Sequence, residues 1–179
     1  DYSAPMGVWQ WHTGMAEAEL VDLTLDWDNT DGLGDPDAGI GAYRSHYRYP
    51  GIVSTPGACI DPATGRIYLA YTMAIEYTDL FGDPTNISAQ SFRDIFVLFS
   101  DDMGATWSTP VNLTNTAETG KENFYVSVYP EFIGGKVHMV WQEDVYPGTT
   151  VTDLDPIGVN NIMYNGFTAA DFGDAPVVC

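Results

Sequence analysis

Basic side chains are nearly missing from this sequence: 6 Lys and Arg stand against 25 Asp and Glu in 179 residues, a formal net charge of -19. With no basic patch anywhere, general attraction to nucleic acid or to an anionic membrane is excluded as a mode of action. An acidic surface of this kind suits solubility outside the cell or in salty surroundings. Cysteine is scarce as well. Cys59 and Cys179 permit one disulfide at most, and their separation fits neither a zinc nor a redox motif. No apolar run approaches the length of a membrane span, so membrane insertion is not expected. The chain opens at Asp1, with neither Met nor a signal-like segment. The expectation is a mature or excised segment, and Cys179 as final residue suggests that the polypeptide continues.

What is present points to an ordered, strand-rich chain. Hydrophobic residues make up 45% and aromatics 13%, with 11 Tyr and 5 Trp, enough for a sizeable core and suited to an all-β or carbohydrate-facing protein. Residues 2–20 carry Trp9, Trp11, His12 and Met15 with an ambiguous period, read as an outer strand. From 21 to 41 acidic residues and glycines alternate, a loop composition. Within it Asp26, Asp28 and Asp37 take positions one, three and twelve of a calcium loop, although Asp31 stands where such a loop needs Gly. A calcium site and a solvated acidic loop both stay open.

The most informative stretch is Ser100-Asp-Asp-Met-Gly-Ala-Thr-Trp107. It follows the apolar run 94–99 and leads into 108–114. Ser100 and Asp102 offer short side-chain oxygens to backbone N–H groups, and Gly104 supplies a positive φ. The reading is a hairpin with strands near 93–100 and 106–113, closed by a largely buried Trp107. This Ser-x-Asp-x-Gly-x-Thr-Trp pattern resembles the Asp-box, or BNR repeat, of sialidases and related β-propellers. In that family Ser100, Asp102, Gly104, Thr106 and Trp107 would be structural.

The run 47–53 leading into 57–62, together with the runs 66–73, 94–99 and 108–114, counts as four strands, with 61–65 as a turn; four antiparallel strands joined in order make one propeller blade. The pattern partly recurs: 127–133 echoes the Tyr-Pro entry of 49–53, 136–142 echoes 66–73, and 161–164 supplies a third strand. No second Asp-box follows Tyr164. The spacing exceeds the ~40–45 residues of compact propeller repeats, so long loops are expected. The fold class is therefore all-β, a sialidase-like propeller segment of about two four-stranded antiparallel blades. Its parts are 1–46, an outer strand of a preceding blade plus the acidic loop; 47–115, a blade with the Asp-box; and 116–179, a second, partial blade.

The sequence Tyr47-Arg48-Tyr49-Pro50 is similar to the Phe/Tyr-Arg-Ile-Pro motif of sialidases, which implies that Arg48 grips a sugar carboxylate with its planar fork. Tyr49 departs from that motif. The family's second arginine is missing at 74–77, its acid/base aspartate corresponds to Asp79 or Asp83 without a local motif to fix it, and the Tyr/Glu pair belongs to later blades. Retaining cleavage needs two groups across the scissile bond. His12, His46 and His138 are too dispersed for a metal, and His138 reads as a satisfied strand residue. Asn86-Ile-Ser88 and Asn112-Leu-Thr114 match the N-glycosylation acceptor. The resulting expectation is an extracellular or cell-surface, non-catalytic module that binds a glycan or a surface protein. Calcium is the one cofactor considered, and further blades, from the same longer polypeptide or from other chains, are expected partners. The alternatives are the N-terminal part of a sialidase-type exo-glycosidase and a structural subunit of a surface assembly.

Overall fold

The computed structural model describes residues 7–23, 53–75, 92–147 and 158–173. Among these residues nine strands form three antiparallel sheets. The first pairs β1 (Gly7–Gln10) with β2 (Glu19–Leu23). The second runs in chain order through β3 (Val53–Ile60), β4 (Ile67–Ala74), β5 (Arg93–Ser100) and β6 (Val111–Asn112). The third does the same with β7 (Glu122–Val128), β8 (Val137–Asp144) and β9 (Asn161–Phe167). Helical structure among the described residues is limited to two 3₁₀ turns, Ala117–Thr119 and Ala169–Phe172. The chain is thus all-β, built from antiparallel sheets of two to four strands, as the residue pattern anticipates.

The sheets stack face to face. Alternation along a strand sends successive side chains to opposite faces, so β4 and β5 each serve two cores. Leu69, Tyr71 and Leu98 pack with Val8 of the first sheet, joined by Val21, Phe96 and Trp107. Tyr68, Ala70, Ile95 and Val97 pack with Val126, Val137, Met139 and Trp141 of the third. Burial on both faces explains why 94–99 reads as a continuous apolar run rather than an alternating one. Each large side chain so buried contributes roughly 1.5–3 kcal/mol. Cys59, 1% exposed, sits in the second of these cores as a free thiol, and burial, with a smaller contribution from the Asp61 carboxylate, pushes its pKa up.

Three expectations are corrected. The strand after the turn is short, Val111–Asn112 rather than 106–113, because Pro110 has no N–H to donate and Ser108 Oγ takes the N–H of Phe99 in place of a ladder carbonyl. Trp107 is half-buried, lying at the margin of the core it joins. The third sheet is entered by β7, upstream of Tyr129-Pro130. That Tyr-Pro pair ends a strand where the sequence echo had it opening one, since a proline punctuates either end equally well.

The true repeat is cleaner than the echo. Val53↔Met73, Ser54↔Thr72, Gly57↔Ala70 and Ala58↔Leu69 in β3 and β4 reappear as Asn123↔Glu143, Phe124↔Gln142, Ser127↔Val140 and Val128↔Met139 in β7 and β8. Every pair is shifted by 70 residues, as from 53 to 123 and from 73 to 143. Both inner strands bulge at the same place, with Thr55 at φ 51° and Tyr125 at φ 55°. Non-glycine residues enter this region rarely, so its recurrence marks a shared backbone device, a bulge that sharpens local twist.

Candidate functional site

The Ser100–Trp107 turn is held by its own side chains. Ser100 Oγ donates to Asp102 Oδ1 at 2.8 Å and accepts the N–H of Gly104 at 2.8 Å. Asp102 accepts the Thr106 N–H at 2.8 Å and the Thr106 hydroxyl at 2.7 Å. These bonds, the Thr106 hydroxyl first, hold the Asp102 carboxyl below the usual carboxylate range. Gly104 has φ 93°, and a Cβ there would run into Gln10 Oε1, the side chain of β1 whose amide donates to the Gly104 carbonyl. Below the turn, Ser108 N–H donates to the Phe99 carbonyl at 2.8 Å. The Ser100, Asp102 and Thr106 side-chain oxygens are occupied by the hairpin itself, and the Gln10–Gly104 bond makes the turn a brace between the first and second sheets.

Arg48, Asp26, Asp28 and Asp37 lie outside the described residues, as do Asp79, Asp83 and Asn86. Among the described residues no group of three or more His, Cys, Asp or Glu side chains is arranged to hold a metal ion. Three of the four described Lys and Arg side chains, Arg66, Arg93 and Lys121, face the chain's own carboxylates. Arg66 grips Asp101 with Nε–Oδ1 at 2.6 Å and Nη2–Oδ2 at 2.8 Å while lying over the Phe99 ring. Lys121 meets Glu143 at 3.1 Å. Arg93 Nη1 donates to Glu122 Oε1 at 2.9 Å, both side chains being almost wholly buried, with the guanidinium stacked on Phe124.

Beside that pair the buried Asp94 carboxylate accepts from Asn112 Nδ2, the Thr114 hydroxyl and the backbone N–H groups of Thr116 and Ala117. Asn123 continues the network to the Thr116 hydroxyl at 2.6 Å and receives Trp141 Nε1–H at 2.8 Å. A buried charge persists only when paired and hydrogen-bonded, so these residues fasten the start of β5 to the start of β7. Sequence reasoning missed them. Their one signal is the dipeptide Arg93-Asp94 heading an apolar strand, which demands partners but cannot name Glu122, 29 positions away. Asn112, read as a glycosylation acceptor, is engaged on both sides of its amide, by Asp94 and by the Asn115 N–H.

Among the described residues a feature open to a ligand lies on the far face of the third sheet. A groove of about 600 Å³ is lined by Ser127, Tyr129, Ile133, His138, Val140 and Tyr164. His138 stacks on Tyr164, with ring planes 8° apart, and its Nδ1 meets the Tyr164 hydroxyl at 2.8 Å. Its Nε2 lies 3.1 Å from the Ile133 carbonyl, which can only accept, so Nε2 carries a proton. The expectation of a satisfied strand histidine agrees with this geometry. Tyr129, Val140, Ile162 and Tyr164 are all exposed.

No protein-family model matches the chain, and no curated protein does. A solved structure with similarity to it is the "Hadza microbial sialidase Hz136", at 17% sequence identity and a TM-score of 0.37. The similarity covers 71% of this chain and 24% of that one, so the chain spans about a quarter of the length of the structure it matches.

Proposed function

We propose that the chain is a non-catalytic, sialidase-like propeller module of an extracellular or cell-surface protein, which engages a glycan or protein partner through its exposed aromatic face. The observation that carries this reading is the groove at Tyr129, His138, Val140 and Tyr164, an apolar hollow edged by two tyrosines and a histidine. Aromatic rings with a polar tip suit sugar faces and protein surfaces alike. Supporting it, Arg66 and Arg93 are committed to Asp101 and Glu122, and the Asp-box oxygens to their own turn. The strongly acidic composition fits an extracellular setting.

The test has two arms. Incubation of the 179-residue chain with a fluorogenic sialoside is expected to give no hydrolysis above buffer; turnover that disappears in Arg48→Ala would establish the exo-glycosidase reading instead. Calorimetric titration with sialylated and neutral oligosaccharides then separates the two partner classes. Saturable binding abolished by Tyr164→Ala assigns a glycan, and its absence assigns a protein partner.

A further inference from the structure

Within the third sheet the His138–Tyr164 pair is fixed at every point but one. His138 Nε2 meets the Ile133 carbonyl at 3.1 Å, and the turn into β8 holds that carbonyl in place, where it also accepts the Lys136 N–H at 3.1 Å. Directly across the ladder from His138 stands Gly166. Asn165-Gly166 is a turn dipeptide by local preference, yet it lies inside β9. The ring explains the glycine: a Cβ at 166 would lie 3.2 Å from both Cε1 and Nδ1 of His138, so a side chain there would push the imidazole aside. Tyr164 completes the arrangement, its ring plane 8° from that of His138 and its hydroxyl 2.8 Å from Nδ1. The charged and titratable groups on the surrounding elements are Tyr129 at the end of β7, Glu131 and Lys136 in the turn, and Tyr164 on β9; Asp171, beyond β9, is taken by Thr168. With the ring so placed, the variable that remains is the proton at Nδ1.

We propose that this pair is a pH-operated switch that reverses the hydrogen-bonding sense of the Tyr164 hydroxyl. Its use as regulation rests on the reading of the groove as a binding surface, while the exchange itself is internal to the pair and holds whatever lies over it. With His138 neutral, the Ile133 carbonyl keeps the ring proton on Nε2, so Nδ1 accepts and the Tyr164 O–H donates to it. The phenol oxygen then offers its surroundings lone pairs alone. Histidine is the side chain that changes charge between roughly pH 5 and 8. When a proton from solvent binds Nδ1, both ring nitrogens become donors, Nδ1–H points at the Tyr164 oxygen, and the hydroxyl hydrogen rotates away from the ring. The same oxygen now donates outward. Neither bond of the ring is lost; the one to Tyr164 is reversed. Acidification therefore changes the partner that Tyr164 selects, from a hydroxyl or N–H donor to a carbonyl or carboxylate acceptor, without moving the sheet.

Nuclear magnetic resonance of the chain with isotope-labelled histidine and tyrosine, followed through a pH titration, tests this. No ligand is used, so the result stands apart from the binding experiment above. At the alkaline end the His138 nitrogen shifts are expected to report a protonated Nε2 and a bare Nδ1. As pH falls Nδ1 gains its proton, and the Tyr164 Cζ resonance is expected to move with the same midpoint. Tyr129 Cζ, whose hydroxyl makes no bond to the ring, is expected to stay nearly still, and the β8 and β9 amide signals to keep their dispersion. Gly166→Val, its fold verified by a thermal melt, displaces the imidazole and is expected to uncouple Tyr164 from His138; Gly166→Ala replaces it if it melts early. A neutral form protonated on Nδ1 overturns the proposal, as does a Tyr164 signal that ignores the His138 titration or β8 and β9 amides that collapse with it. Coupling that survives the glycine replacement unchanged overturns it too, since the Tyr164 signal would then report charge at a distance and not the bond between the rings.

Discussion

The second and third sheets share a strand register and a bulge, yet the molecule treats them differently. The four-stranded sheet is covered on both faces and closes β5 with the Ser100–Trp107 hairpin. The three-stranded sheet is covered on one face. After β9 the chain turns through a 3₁₀ segment capped by Thr168 and Asp171, which drives Phe172 into the shared core against Tyr68 at 4.8 Å between ring centroids. Equivalent backbone positions therefore carry different burdens. What a side chain contributes here is set by whether another sheet lies over it, and the 70-residue repeat supplies matched positions at which to measure the difference.

The widest gap is expected between Ala70→Asp and Val140→Asp. A carboxylate at Ala70 enters a closed core without a partner, at a cost of about 4 kcal/mol or more; at Val140 it meets water, with an effect within about 0.5 kcal/mol. Urea unfolding of both variants checks this, and equal losses would show that the two faces are not different environments.

Next comes the join between the two sheets. Glu122→Ala removes the buried Glu122 carboxylate from beside the Arg93 guanidinium and is expected to cost about 3–5 kcal/mol, whereas Arg93→Met combined with Glu122→Leu recovers most of that loss. If the double variant is no more stable than Glu122→Ala alone, the loss does not come from the charge that Arg93 keeps in the core.

A smaller contrast separates Gly57 from its counterpart Ser127. A Cβ at Gly57 would lie 2.9 Å from Val128 Cγ2, so the inner strands β3 and β7 meet there with no room to spare. Gly57→Val is expected to lose about 1–3 kcal/mol through overpacking, and Ser127→Val, exposed, close to none. Thermal denaturation distinguishes them.

The finest test concerns pH and the Ser100–Trp107 turn. Because the Asp102 pKa is depressed in the folded chain, its contribution is fully present above the ordinary carboxylate value of about 3.9 and is lost as pH falls through the folded value. Melting curves of wild type and Asp102→Asn should therefore differ near neutrality and converge in acid. A gap that does not change with pH would mean that the turn does not depend on the ionised carboxylate.

Much of the fold was legible because it rests on local rules. The Ser100–Trp107 turn announces itself by residue type: short oxygens at Ser100 and Asp102, a glycine where φ must be positive, a tryptophan to seat on the core. Runs such as 66–73 and 94–99 give their strands by composition. The bulges at Thr55 and Tyr125 could not be read, since neither residue prefers positive φ and only the opposing strand makes the extra residue visible. The Tyr-Pro echo misled for a related reason: a dipeptide marks a strand boundary without saying which one.

The candidate site divides along the same line. His138 and Tyr164 are 26 positions apart, and neither one's neighbours announce the other; β8 and β9 bring them together by pairing His138 with Gly166 and Val140 with Tyr164. The sequence alone determined the strand content, the hairpin and the acidic character, because propensity, turn chemistry and charge act over a few residues or sum over all of them. Tertiary structure alone decided that Arg93 pairs with Glu122, that Ala70 is sealed while Val140 lies open, and that the aromatic groove exists. Each of these depends on which sheet face meets which, and that is set by contacts between residues far apart in the chain.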